Sequence, residues 1–327
     1  MPAAFVTGGS GFVGAALIRR LAADGWTVRA LARSPEAEAK VRQAGAEAVR
    51  GDLGDAAALE RGARGADVAF HAAAKLGDFG PWKEFRRVNV DGTKAVIAAC
   101  RAAGVKRLVH VGTEAALMHG QPLVAVDERA PLALDSPAPY SATKAQAEAA
   151  VIEANGSGLE TVVVRPRFVW GAGDTTLLPI LVDLARSGRL RWIGGGRQLT
   201  STTHVENTVE GLVLAAERGV PGNAYFVTDG SPVVFREFVS ALLATQGVQA
   251  PEGELPLWAG RAIARGSELA WRWLPLPGEP PVARFGVWAS ALEATIDDTK
   301  AREQLGYAPV ITREHGLTAM QAASPGS

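Results

Sequence analysis

A tyrosine and a lysine stand four residues apart in PAPYSATKAQAEAAV, residues 137–151. On a helix, Tyr140 and Lys144 share one face, a turn apart. A phenol with a pKa of about 10 is a poor proton carrier at neutral pH. An ammonium beside it favours the phenolate and brings that value down. Such a phenol can give a proton to a ketone oxygen or take one from an alcohol. Thr113, at the end of RLVHVGT, offers a hydroxyl for the same oxygen. The pair then needs a hydride carrier to work with.

FVTGGSGFVGAAL, near the N-terminus, provides a place for one. Gly8, Gly11 and Gly14 follow an apolar run and open a helix-like segment. Gly8 makes the tight turn, Gly11 lets backbone approach a pyrophosphate, and Gly14 lets the helix pack close to the sheet. Phe12 and Val13 sit at the helix N-terminus, where unpaired N–H groups face an anion. The end of the next strand, in VRALARSPE, should meet the adenosine ribose. An acid there suits the 2′-hydroxyl of NAD, whereas Arg33, followed by Ser34, suits the 2′-phosphate of NADP. A solvated surface arginine is the other reading of Arg33. In RGDLGD, Asp52 beside Leu53 either accepts from the adenine amino group or caps the helix that follows.

These residues must be held by a particular framework. Ala3–Thr7, Trp26–Leu31, Glu47–Arg50, Asp67–His71, Arg107–Val111 and Thr161–Arg165 read as strands. Helical segments alternate with them over Phe12–Asp24, Pro35–Ala44, Asp55–Ala63 and a long stretch from Trp82 to Ala103. This rhythm predicts a parallel sheet with helices on both faces, an α/β doubly wound Rossmann-type fold. TVVVR is almost continuously apolar, as a strand buried on both faces must be. After Arg165 glycine and proline become frequent. Residues 1–168 are read as the dinucleotide-binding domain, with later additions around 200–230. Residues 169–327 are read mainly as a smaller, interleaved substrate-binding region.

The chain of 327 residues is 47% hydrophobic and 21% charged, enough to bury a real core. Lys plus Arg and Asp plus Glu both number 34, so no net field favours nucleic acid. The single Cys100 excludes an internal disulfide and a cysteine-based metal cluster. That suits the cytoplasm. Neither a signal peptide nor a membrane span is apparent. His71, His110 and His204 are scattered on strands or strand ends and read as core or supporting residues; no metal is expected. His119 and His315 form no pattern.

Taken together, TGGSGFVG, GDL, HAAA, Asn89 in RVNVDGT, YSATK and RPRFVWG resemble, in order and spacing, the extended short-chain dehydrogenase/reductase family. TTHVEN and KAREQLGYAP extend the likeness to nearly the whole chain. The resemblance implies a catalytic set of Thr113, Tyr140 and Lys144. It also implies cofactor contacts at Ala72, Ala73 and Ala74 and, near the nicotinamide, at Pro166 and Val169. A homodimer is implied as well. Asn89 either stabilises a bend in its helix or joins a proton relay. This sequence departs from the usual pattern in having Gly112 before the hydroxyl, and threonine in place of serine.

Many extended members act on nucleotide sugars and carry an arginine four positions before the histidine of the HVEN-like stretch. Thr200 stands there instead, and Arg197 is off register. A diphosphate needs cationic partners, so the expected substrate is a hydrophobic ketone or secondary alcohol. The segment from Glu254 to Phe285 resembles the 3β-hydroxysteroid dehydrogenase and 2-alkyl-3-oxoalkanoate reductase branch. On it, Leu257, Ala262, Leu269 and Trp273 are expected to share a face lining an apolar pocket. Packing of the small domain, and shallow membrane contact through Arg261, Arg265 and Arg272, are the other readings. The leading expectation is an NADP(H)-dependent oxidoreductase, with NAD(H) as the alternative cofactor. A nucleotide-sugar epimerase or dehydratase is the rival on the same fold. A cofactor-binding regulatory protein is the rival of another class, although such a protein has no need of a proton donor.

Overall fold

The computed structural model describes residues 1–323 apart from 78, 275, 277 and 279. Its centre is a seven-stranded parallel sheet. The first five strands are β1 (Ala3–Thr7), β2 (Thr27–Ala32), β3 (Glu47–Arg50), β4 (Val68–His71) and β5 (Arg107–Val111). The spatial order is β3-β2-β1-β4-β5, then Glu160–Pro166, then Asn223–Val227 at the edge. The order reverses between β1 and β4, and that crevice is where doubly wound sheets take a dinucleotide.

Strand side chains alternate between faces, so one strand feeds two cores. Val6 packs with Leu17, Ile18 and Leu21 of α1 (Phe12–Ala23) on one side. Its neighbour Phe5 packs with Leu59 of α3 (Ala56–Ala63) and with Val96 and Ile97 on the other. Val162 and Val164 likewise belong to the first core and Val163 to the second. The helix Val205–Arg218, which precedes the edge strand, also contributes Val209 and Leu212 to the first core.

The long helix expected over Trp82–Ala103 is continuous but irregular. It runs as α4 (Trp82–Phe85), a π-turn over Arg86–Asp91, and α5 (Gly92–Ala102). Asn89 lies in the π-turn. A smaller four-stranded sheet joins Val233–Val234, Leu199–Thr200, Ala294–Ile296 and Leu123–Val126 beside the main one. The helices Leu257–Trp273 and Arg284–Ala291 pack together next to it.

Candidate active site

β1 ends at the glycine loop. Gly8 adopts φ +76°, and a Cβ there would lie 2.5 Å from the Ala73 nitrogen. A Cβ on Gly14 would lie 2.2 Å from the Gly8 carbonyl oxygen. Both glycines are therefore required by the close approach of loop, helix and β4 end. Gly11 differs: a Cβ there would meet only the Gly8 oxygen, at 3.3 Å, so space above it is open. Gly11 N-caps α1 without any side-chain bond, and the first turn, with the half-buried Phe12 and Val13, carries no acid. An anion fits these free N–H groups. Ala72, Ala73 and Ala74, all half-buried, form the opposite wall.

Arg33 is exposed at the end of β2. Nearby Arg50 is held by Glu38 at 2.9 Å, whereas Arg33 has no acidic partner among the described residues. The Ser34 hydroxyl caps α2 (Pro35–Ala44) by accepting from the Ala37 N–H. Asp52 does not cap α3. Asp55 does, and the exposed Asp52 accepts from the Gly54 N–H in a local turn. The first of the two carboxylates is therefore on the open rim, and the second is the one that meets the free helix N–H groups. Leu53 is half-buried against Gly92.

The helix Pro139–Glu153 carries the Tyr–Lys pair in its first two turns. Tyr140 is half-buried, with its ring edge-on to Phe285 at 5.3 Å. Lys144 is buried, and its Nζ donates to the Val111 carbonyl at 2.7 Å and lies 3.3 Å from His110 Nε2. An ammonium can only donate, so His110 carries its own proton on Nδ1, an atom without a partner. His71 adds to this buried layer. Thr93 gives its hydroxyl proton to the Asn89 carbonyl, so His71 Nε2 donates to Thr93 and Nδ1 accepts from Thr7, at 2.6 Å. Burial, reinforced by Lys144, holds His71 down to about 3 and His110 well below the ordinary histidine range. Both are neutral acceptors or donors under any ordinary condition. Burial also brings Lys144 down to about 8, opposed by the Glu148 carboxylate.

Thr113, two residues beyond the end of β5, is in extended conformation and caps the short turn Glu114–Leu117. Its hydroxyl donates to Glu114 Oε2 at 2.8 Å and accepts from the Ala115 N–H. Glu114 is itself buried, and its Oε1 accepts from Arg167 Nη1 at 2.5 Å. Arg167 also donates to the Thr200 hydroxyl, at 3.0 and 3.2 Å, and to the Ala289 carbonyl. Thr200 is thus fully buried under an arginine from a different strand end. Next to it, Phe168 takes φ +45°, a strained value for a bulky residue, between the rings of Phe235 and Phe238. Sequence reasoning missed Glu114 and Arg167, whereas His110 takes the supporting place read for it. Two charges flanking predicted site residues, TE and RPR, were the available signal.

Pro166 is buried at its strand end, and Val169 is half-buried, paired in register with Thr203. Asn89 accepts from the Lys75 N–H at 2.7 Å and donates to the Lys75 carbonyl and Thr143. It pins the loop that follows Ala74 to the Tyr–Lys helix, a supporting position. Arg197 is exposed, 3.7 Å from Glu254. Among the described residues no cluster of His, Cys, Asp and Glu is placed to hold a metal. The expected pocket face on the Leu257–Trp273 helix is corrected. Leu257 packs inward, but Leu269 and Trp273 are 57% and 78% exposed, so they are on an outer surface rather than in a closed pocket.

A parallel sheet with a glycine cradle at its switch point, and a Tyr–Lys helix beside it, defines an extended short-chain dehydrogenase/reductase. The chain belongs to the 3-beta hydroxysteroid dehydrogenase/isomerase family, whose model matches residues 5–257. It is an NAD(P)-dependent oxidoreductase acting on hydroxyl and keto groups. It is 50% identical to a 4-hydroxy-2-methyl-3-oxo-4-farnesyl-3,4-dihydroquinoline-1-oxide ketoreductase of Stigmatella aurantiaca, over 98% of this chain and 96% of that protein. It is 39% identical to a 2-alkyl-3-oxoalkanoate reductase of Stenotrophomonas maltophilia, over 98% of both. Its fold matches a dTDP-glucose 4,6-dehydratase of Streptomyces venezuelae, solved with NAD and TYD bound, with a TM-score of 0.76 at 24% identity. That match covers 98% of this chain and 96% of the dehydratase.

Proposed function

We propose that the protein reduces a ketone bearing a long apolar group to the secondary alcohol, with NADPH as the preferred cofactor. The observation that carries the substrate class is the Thr200 site. Where a diphosphate would need a free cation, a buried threonine lies under an arginine already neutralised by Glu114. The relatives named as reductases of a farnesylated quinoline oxide and of 2-alkyl-3-oxoalkanoates support the same class. Arg33, exposed and without an acidic partner among the described residues, supports the 2′-phosphate.

A nicotinamide cofactor held at the glycine cradle would supply the hydride for the carbonyl carbon. The protein's own residues handle the oxygen. Tyr140 gives its phenolic proton to that oxygen as the alcohol forms, and the resulting phenolate is stabilised by the Lys144 ammonium. His110 and the Val111 carbonyl hold that ammonium beneath the tyrosine helix. Thr113 has one hydroxyl proton, donated in a hydrogen bond to Glu114 Oε2. Turning it to the substrate oxygen releases Glu114 Oε2, while Oε1 stays on Arg167 and keeps the carboxylate in place.

The test is a screen of NADPH oxidation against long-chain β-keto, prenylated and steroid ketones, with UDP- and dTDP-sugars as the contrast. Turnover of an apolar ketone is expected. A nucleotide sugar that binds more tightly than every ketone would overturn the reading.

A further inference from the structure

The helix Leu257–Trp273 has three faces that its burial separates cleanly. At 3.6 residues per turn, Gly260, Ala264, Ser267 and Trp271 fall on one side. Gly260 and Ala264 are buried there, against Ile193 and Val287 of the Arg284–Ala291 helix. Trp258, Ala262, Leu269 and Trp273 form a second stripe, turned outward. All four are exposed, the tryptophans by 74% and 78%. Arg261, Arg265 and Arg272 form a third stripe on one flank of the second, also exposed and without a carboxylate partner among the described residues. The helix's one acid, Glu268, is turned away onto Arg284 at 2.7 Å. Leu274 and Leu276 continue the exposed apolar surface beyond the helix end.

We propose that this face lies on an anionic lipid bilayer, with the tryptophan stripe in the acyl–headgroup boundary and the arginine stripe among the lipid phosphates. An apolar stripe beside unpaired guanidiniums is the pattern of a helix lying in an interface. Trp258 and Trp273 are about 22 Å apart along the axis, one near each end, and tryptophan favours the headgroup level. No helix among the described residues is long and apolar enough to cross a membrane, so contact is from one side. A second copy fits less well. A two-fold contact is self-complementary, and this face brings three cations and no exposed acid to meet them. The stripe also points away from the Arg284–Ala291 helix, whose Phe285 touches Tyr140, so it is not an inner wall of the reaction site. The catalytic tyrosine is one helix layer behind the proposed lipid surface. The docking rests on this helix alone, and the apolar-ketone reading can fail without it.

Co-sedimentation of the full chain with phosphatidylcholine vesicles, with and without about one third phosphatidylglycerol, tests the proposal. Binding is expected only, or far more strongly, with the anionic lipid, and should weaken as salt rises. Replacing Arg261, Arg265 and Arg272 together by Gln should weaken it on the order of 100-fold, roughly fivefold for each cation. Trp258→Ala with Trp273→Ala should also release the protein. All five residues are exposed, so circular dichroism and NADPH affinity should match wild type in both variants. Failure to bind anionic vesicles, or equal binding by wild type and the triple variant, would overturn the proposal. So would a dimer, seen by light scattering, that the tryptophan variant dissolves and that ignores vesicles; the face would then be a self-association surface.

Discussion

Arg165 and Arg167 are two residues apart, both are buried, and each faces a buried glutamate. They nevertheless serve different regions. Arg165 donates to Glu148 Oε1 from Nε at 2.8 Å and also from Nη2, with its guanidinium over the Phe226 ring. Its Nη1 and the second oxygen of Glu148 have no partner. This pair joins the sheet to the Tyr–Lys helix within one layer. Arg167 is tied to three separate segments through Glu114, Thr200 and Ala289, and through Glu114 it reaches Thr113. The first pair therefore fixes the scaffold, with some desolvation left uncompensated. The second joins the sheet end to the Thr200 and Ala289 segments and fixes Glu114, the partner of the hydroxyl that the proposed mechanism turns to the substrate oxygen.

Tyr140→Phe calibrates the comparison by removing one oxygen and no scaffold. Turnover should fall by about 10² or more, with NADPH affinity within a few-fold of wild type. Near-normal turnover would remove the proton role from this region altogether. Glu148→Ala should strand a buried guanidinium and cost about 3–5 kcal/mol of stability by chemical denaturation. Glu114→Ala leaves Arg167 its bonds to Thr200 and Ala289, so a smaller loss of about 1–3 kcal/mol is expected. Its signature should be a drop in kcat with KM little changed, and Glu114→Gln should recover part of it. If both alanine variants lose stability equally and keep kcat, the two pairs are alike and the distinction fails.

Arg33→Ala tests the nucleotide end. Charge-assisted contacts are worth about 1.5–3 kcal/mol, so NADPH affinity should fall roughly ten-fold or more, with NADH little affected. Equal losses for both cofactors would make Arg33 structural. The smallest effect is expected from pH. Lys144 is brought down to about 8 by burial. Above that pH the free enzyme loses its ammonium, and cofactor affinity should decline. Stability should move the other way. The unfolded chain keeps the lysine proton up to its ordinary pKa of 10.5. Between about 8 and that value the unfolded state therefore holds more protons, and folding becomes more favourable as pH rises. Parallel decline of both readouts would mean that another group titrates.

The glycine cradle, the strand alternation and the Tyr–Lys spacing were legible because each is local. A turn, a helix N-terminus and an i, i+4 pair occupy a few consecutive residues, and backbone geometry fixes their relation. A bend at Asn89 was one of the two readings, but its form as a π-turn over Arg86–Asp91 was not legible, because Asn89 bonds the Lys75 backbone and Thr143, which only the fold brings near. At Thr200 the sequence showed a position without a cation of its own, but it could not say that Arg167 would lie over it. Nor could it say which face of the Leu257–Trp273 helix turns outward: the apolar and small residues there fit burial on either side. Packing of Gly260 and Ala264 against Ile193 and Val287 decided it, because only small residues let two helices and a strand come that close. Local covalent geometry determined the glycine cradle and the helix that follows it from the sequence alone. The Glu114–Arg167–Thr200 arrangement was decided by contacts between segments tens of residues apart, whose meeting depends on the whole chain being folded.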